Sequence, residues 1–375
     1  MKVLYVFPRV VDDALQNTTE NEIARALVRH GCIVDTVQAY RRERLFLDGF
    51  SKVKYLKIDH YGAVAKLRLH GASLWAALTG DYDVAMFSYS SAHLIPIVAL
   101  RRKLKGRPKL VLDIRSVPVD VDKGFRGRML EFRYRAALRL ADWLCDGVTA
   151  ITPMLSETLR PFLTRLGDHV GIWASGVDLD HFQRSEVSTK QTLGLAGSRV
   201  IMYHGVLSPN RGIQNIIRAL ELLSAEMADL RFLVVGDGPG RAELESLAAA
   251  CGVSDRVVFT GHKPYSEIPR YIAAADVGIL SFPNIQWWAV SSPIKLMEYL
   301  AMGLPMVATD IPAVRMVTDE TGGALLVSSD QPECLAEGIR RFFKEGCQPA
   351  SREVLENVIS WNAQGRRLLG YFETL

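Results

Sequence analysis

The stretch Ser291-Ser292-Pro293-Ile294-Lys295-Leu296-Met297-Glu298-Tyr299-Leu300-Ala301-Met302-Gly303-Leu304-Pro305-Met306-Val307-Ala308-Thr309-Asp310 decides the fold. Ser292 stands where an N-cap hydroxyl belongs, and Pro293 takes the first helical position, where a missing N–H costs nothing. Gly303 closes the helix, and residues 304–309 have the unbroken apolar character of an interior parallel strand. The free N–H groups of Ile294 and Lys295 project from the helix start, where the dipole favours phosphate. Glu298 follows one turn after Lys295 on the same face. A carboxylate repels phosphate but accepts hydrogen bonds from a ribose diol, so the pair points to a nucleotide diphosphate.

Outward from this stretch, strand-like and helical runs alternate. Before it come strands at 200–204, 231–235, 257–260 and 277–280, separated by helices at 213–225, 241–251 and 266–275. The earlier part of the chain repeats the pattern, with strands at 2–7, 33–37, 83–87, 110–113 and 147–151 and helices at 19–30 and 136–144. Alternation of this kind predicts parallel sheets covered by helices on both faces. The two series meet near residues 175–185, which predicts an α/β protein of two Rossmann-like domains facing a central cleft. The expected divisions are 1–175, 176–355, and a terminal helix at 356–375 that returns to the first domain. Helices at 332–344 and 351–371 close the chain.

At 375 residues, half of them apolar and 23% charged, the chain suits two globular domains. Its five cysteines have no CxxC pair, which points to reduced thiols and a cytoplasmic setting. The apolar start is too short for a signal peptide and reads as a first strand, and no run approaches the roughly 20 apolar residues that span a bilayer. Charge is uneven: residues 1–182 hold about 27 basic and about 20 acidic side chains, and the remainder is slightly acidic. Basic residues gather at 101–109 and at 123–139. In the second cluster Lys123, Arg126, Arg128, Arg133, Arg135 and Arg139 alternate with Phe125, Met129, Leu130, Phe132, Tyr134 and Leu138. Such a segment is either a solvated helix packed by its apolar side or a peripheral contact with an anionic membrane surface. No aromatic or glycine pattern of a nucleic-acid reader accompanies it, so nucleic acid is not an expected partner.

The signature stretch resembles the nucleotide-binding segment of the retaining glycosyltransferases of family 4, the group 1 glycosyl transferases, which have the GT-B fold. Tyr203-His204-Gly205-Val206-Leu207-Ser208-Pro209-Asn210-Arg211-Gly212-Ile213 resembles the loop that holds the donor diphosphate. Phe232 to Pro239 and Val258-Phe259-Thr260-Gly261 resemble the two following strand ends, and Ser175 to Phe182 the interdomain connection. The resemblance implies a transferase that takes a sugar from a nucleotide diphosphate sugar with retention. It assigns the ribose to Glu298, the diphosphate to Arg211 and Gly205, and the nucleobase to the backbone around His262 and Lys263. Two positions depart from the family: Val290 replaces a second Glu near the sugar, and Val206 replaces an Arg, leaving Arg211 alone in its loop.

The residues also admit plainer readings. Arg211 can be a surface arginine beside a helix start, and Glu298 an exposed or Lys295-paired helix residue. Ser291 and Ser292 are caps or phosphate ligands; Lys295 binds through its N–H, its ammonium, or both. Gly236-Asp237-Gly238-Pro239-Gly240 lacks the G-x-G-x-x-G spacing and reads as a tight turn. Trp287 and Trp288 are a sugar platform, an interface patch or core. Asp113 and Arg115 end a strand where the family often places a His; either they orient acceptor and leaving group as catalytic residues, or they cap the strand and pair. Asp120-Val121-Asp122 and Asp178-Leu179-Asp180 have the form of a metal triplet, but Arg211 and a helix dipole already offer positive charge, so no metal or other cofactor is expected. The loop at 9–18 is expected to line the acceptor site.

The sequence therefore reads as a cytoplasmic, metal-independent glycosyltransferase, peripheral to the membrane if the basic segment binds lipid. Its partners are a nucleotide-sugar donor and a polysaccharide, lipid-linked or glycolipid acceptor, as in assembly of a bacterial surface. A nucleotide-sugar epimerase or phosphorylase on the same fold, and a non-catalytic nucleotide or sugar binder, are the alternatives.

Overall fold

A computed structural model describes residues 1–7, 19–41, 49–58, 62–118, 124–183 and 189–375. The chain divides into two compact units, residues 1–175 with 361–375, and residues 176–360. Each is a parallel sheet with helices on its faces.

Among the described residues the first unit has seven strands: β1 (Lys2–Val6), β2 (Ile33–Tyr40), β3 (Lys52–Lys57), β4 (Val84–Ser88), β5 (Lys109–Ile114), β6 (Gly147–Ala150) and β7 (Val170–Ile172). Their order is β3-β2-β1-β4-β5-β6-β7. Helices α1 (Thr19–Arg29), α2 (Ala63–Thr79), α3 (Ile95–Lys105) and α4 (Phe125–Leu144) connect them. The propagation direction reverses between β1 and β4, the switch point at which ligands gather in such sheets. The second unit repeats the scheme with β8 (Arg199–His204), β9 (Leu230–Val235), β10 (Val257–Phe259), β11 (Val277–Leu280), β12 (Met306–Thr309) and β13 (Ala324–Val327), ordered β10-β9-β8-β11-β12-β13. Its switch point lies between β8 and β11.

Alternation along these strands divides the second unit's core in two. Met202, Leu233, Leu280 and Met306 face one side with Leu296 and Leu300, while Ile201, Phe232, Val234, Ile279 and Val307 face the other with Ile216 and Leu220. Each such side chain contributes about 1.5–3 kcal/mol on burial. β3, β7 and β13 are strands that the apolar pattern does not announce. β3 reads Lys-Val-Lys-Tyr-Leu-Lys and lies at the sheet edge, where lysines are tolerated; β7 has only three residues.

The end of the chain differs from the single helix expected at 351–371. Helices Arg352–Val358 and Trp361–Glu373 are separated by Ile359 and Ser360. That break lets Ile359 accept a hydrogen bond from Val177 N (2.9 Å) and Ser360 bridge to Val177. The second unit thus ends at 360 rather than 355, and helix Trp361–Glu373 belongs to the first unit, packed on α1. The approach is close: a Cβ on Gly365 would stand 2.7 Å from the Ala26 Cβ. Tyr371 lies over Gly147 and Gly171, donates to His169 O (2.8 Å) and accepts from Val148 N (3.0 Å). Among the described residues no helix is long and apolar enough to cross a membrane.

Candidate functional site

The candidate residues of the second unit collect at the carboxyl ends of β8 and β11, beside the helix Ile294–Ala301. That helix starts one residue later than its sequence suggests. Pro293 keeps an extended backbone (ψ 113°), so Ser292 is not the N-cap, and no side chain caps the first turn. Ser291 donates instead to Trp288 O (2.8 Å), and Ser292 is buried. Ile294 and Lys295 nevertheless open the helix, with N–H groups that lack an intrahelical acceptor. Gly303 follows the helix in the left-handed region, as expected (φ 61°).

Lys295 is the anomaly of the site. Its side chain is buried, and its ammonium has no hydrogen-bond partner. The ammonium lies 3.7 Å from the centroid of the Tyr203 ring and 5.5 Å from that of Phe282. Gly205 (φ 121°) makes room for it, since a Cβ there would sit 3.1 Å from the Lys295 Nζ. Burial, then the neighbouring Arg211 charge, drives the Lys295 pKa well below its ordinary value, and Glu298 only partly opposes this. An aromatic pair offers a cation some attraction but leaves its N–H donors unmet.

Arg211 sits in the turn Pro209–Arg211 that follows β8. The turn is held from three directions. Gly212 adopts a left-handed backbone (φ 70°), where a Cβ would stand 1.8 Å from Ser281 O. Ser281 donates its hydroxyl to Arg211 O (3.2 Å), and Trp288 Nε1 donates to Asn210 O (2.8 Å). Arg211 Nε donates to Ser208 Oγ (3.1 Å), and the guanidinium lies 5.1 Å from the Trp288 ring centroid. Trp288 is itself stacked on Phe282 at 4.1 Å, so it clamps the arginine loop from a packed position.

Glu298 is 4% exposed, so it is neither a solvated helix residue nor an ion-pair partner of Lys295. Its Oε2 lies 3.1 Å from His204 Nε2, off the line of a hydrogen bond, and Tyr265 donates to the carboxylate. Burial raises the Glu298 pKa to about 7, against the opposing Tyr265 and Lys295. Burial and then the Lys295 charge hold His204 well below the usual imidazole range, so it is neutral at pH 7. His204, Tyr203, Phe282 and Tyr265 form part of this site without having been singled out in the sequence; only His204, at the strand end directly before Gly205, carried a readable signal.

Gly205, Arg211, Lys295 and Glu298 thus come together. His262 and Lys263 lie beyond β10, which pairs with β9 and is separated by it from β8; Gly261 accepts from Gly236 N (3.0 Å). His262 is exposed, and the Lys263 ammonium lies 5.7 Å from the Tyr271 ring centroid. Asp237 accepts from Gly238 N (2.7 Å), as a tight turn requires.

Asp113 and Arg115 belong to the first unit, at the end of β5. Asp113 is buried and accepts from Tyr5 Oη (2.9 Å), Thr149 Oγ1 (2.7 Å) and Trp173 Nε1 (3.1 Å). Arg115 donates to Trp173 O (2.8 Å), and its guanidinium lies 3.6 Å from the centroid of that indole. These contacts give both residues a bracing role across β1, β5, β6 and Trp173. Asp178 Oδ1 accepts from Asp180 N and His181 N, which makes that triplet a turn, and Asp180 pairs with Arg352. Among the described residues no group of three or more His, Cys, Asp or Glu could hold a metal ion. Asp120, Asp122 and the loop at 9–18 lie outside the described residues.

Known proteins resemble this chain in sequence and fold. It is 29% identical over 216 residues to the 2-deoxystreptamine glucosyltransferase of Streptomyces kanamyceticus, covering 56% of this chain and 54% of that protein. It is 23% identical over 364 residues to the putative colanic acid biosynthesis glycosyltransferase WcaL of Salmonella typhimurium, covering 87% and 86%. The chain spans about half the length of the first curated relatives it matches. The crystal structure of Anabaena Alr3699/HepE in complex with UDP superposes with a TM-score of 0.77 at 16% identity, over 100% of both chains. Residues 198–345, which carry β8 to β13 and the helix of Glu298, match the model of the glycosyl transferases group 1 family.

Proposed function

We propose that this chain is a retaining glycosyltransferase that moves a sugar from a nucleotide diphosphate sugar to a hydroxyl of a polysaccharide, lipid-linked or glycolipid acceptor. The observation that carries this reading is the buried, unpartnered ammonium of Lys295 beside Arg211 at the start of a helix. Two cationic side chains and free helix N–H groups form a site for a dianionic group, and a diphosphate supplies the acceptors that the Lys295 donors lack. Bound diphosphate raises the Lys295 pKa again and holds the side chain charged. That restored charge favours ionised Glu298, whose carboxylate then accepts from a ribose hydroxyl.

In transfer, the bond between the sugar's anomeric carbon and the diphosphate oxygen breaks, and the negative charge grows on the diphosphate. Arg211, Lys295 and the helix N–H groups stabilise that leaving group, most strongly where charge develops. Retention follows the family resemblance: the leaving diphosphate takes the proton of the incoming hydroxyl on the same face. Since two side-chain cations serve the diphosphate, the reading includes a reaction that needs no divalent ion. Asp113 and Arg115 brace the first unit in this scheme.

The test is release of nucleoside diphosphate from UDP-, GDP-, ADP- and dTDP-sugars, with oligosaccharide or lipid-linked acceptors, in the presence of EDTA. Acceptor-dependent release supports the reading. Nucleotide binding without release in any combination would make the chain a binding module, a result that the valine at position 290 in place of a second Glu would then explain.

A further inference from the structure

We propose that the helical face formed by α2, α3 and α4 docks on an anionic lipid bilayer. Right-handed crossovers place these three helices on one face of the first unit's sheet, with α3 packed between α2 and α4. Each turns a buried stripe inward, Leu69 and Ala77 from α2, Val98 from α3, and Leu138 and Ala141 from α4.

The outward stripes are apolar as well. On α2 they carry Val64, Leu67 and Trp75, and on α3 Ile97, Leu100 and Leu104, the last 82% exposed. On α4, Phe125 (74%), Met129, Phe132 (72%) and Trp143 (78%) recur at spacings of 4, 3 and 11 residues, which keeps them on one side of the helix. A helix in a solvated layer normally turns charged residues outward and apolar ones in. Here both sides are apolar, and the exposed large side chains form neighbouring rows on adjacent helices.

Charge selects the occupant. The three helices hold eleven Lys and Arg and two acidic residues. Pairing leaves most of this charge in place: Glu131 offsets Arg135 and Asp146 offsets Arg102, while Asp142 is buried, accepting from Thr164 Oγ1 and from the N–H groups of Arg165 and Leu166. A surface that mixes exposed aromatic and aliphatic side chains with an excess of cations matches the boundary of an anionic bilayer, where rings enter the acyl edge and cations meet headgroups. The face extends beyond the single basic segment at 123–139, since α2 and α3 contribute six of the cations. The proposal does not rest on the donor site, which belongs to the other unit.

Cosedimentation of the full chain with vesicles tests it, using phosphatidylglycerol mixed with phosphatidylcholine against phosphatidylcholine alone. Two variants accompany the wild type, F132S/W143S and R128E/R139E, all at exposed positions. The expected result is binding to the anionic vesicles only, weakened roughly tenfold or more in each variant with unchanged melting temperature and unchanged nucleotide binding. Quenching of Trp143 by brominated lipid, read as the difference from W143F, places the indole at the acyl boundary. Absence of binding to anionic vesicles overturns the proposal, as does equal binding by both variants. A concentration-dependent dimer that F132S/W143S dissolves also overturns it, because a second copy then covers the face.

Discussion

Glu298→Gln tests the electrostatics of the site directly. The Glu298 carboxyl titrates at about 7 when folded, against 4.5 for the ordinary group. The folded chain therefore holds this proton more tightly than the unfolded chain does. Below about pH 4.5 both states are protonated, and the group costs nothing. As the pH rises through that value the unfolded chain ionises first, and stability falls until the folded group also ionises near pH 7. The loss is then complete, and it amounts to about 3 kcal/mol at 1.36 kcal/mol per pH unit. Gln keeps the shape and the buried acceptor but never ionises. The variant should match the wild type near pH 4.5 and exceed it by up to about 3 kcal/mol at pH 8, a rise of roughly 6–12 °C for a unit of this size. Scanning calorimetry of both proteins between pH 4.5 and 8.5 reads the difference, and nucleoside diphosphate titration of the same samples reads the function. Stability should rise while nucleotide affinity falls, as for a strained binding group. A stability difference that is flat with pH, or a variant weaker than the wild type at pH 8, would refute the reasoning.

Three further substitutions probe the other links. Lys295→Met removes the buried ammonium and keeps the stem, so calorimetry should find stability unchanged or higher, while nucleoside diphosphate affinity drops about 10- to 100-fold, the worth of a charge-assisted contact. Asp113→Ala strips the acceptor from Tyr5, Thr149 and Trp173 and leaves Arg115 beside them uncompensated; denaturant unfolding should register a loss of about 3–5 kcal/mol, whereas a residue engaged only with substrate would lose turnover and keep its stability. Gly365→Leu forces a side chain against Ala26 and should cost about 1–3 kcal/mol; an unchanged urea midpoint would mean that the last helix is not docked on α1 as described.

The local sequence determines much of this protein by itself. The spacing of apolar runs yields two α/β series, because periodicities of 3.6 and 2 are properties of neighbouring residues. Lys295 and Glu298 lie on one helix face for the same reason, and Gly303 closes that helix because a left-handed residue is needed there. Segments that depart from these periods are not legible: β3 is half lysine, β7 is three residues long, and Pro293 delays the helix by one position. Tertiary structure alone decides the chemistry of the site. His204 reaches Glu298, and Tyr203 and Phe282 enclose the Lys295 ammonium, only because β8 and β11 are neighbours at the switch point of the sheet. Likewise Asp113 becomes a brace only when β1, β6 and Trp173 bring it three donors. A residue's type and spacing are written in the chain, but its burial, and with it the proton it holds or releases, depends on which distant strands fold against it.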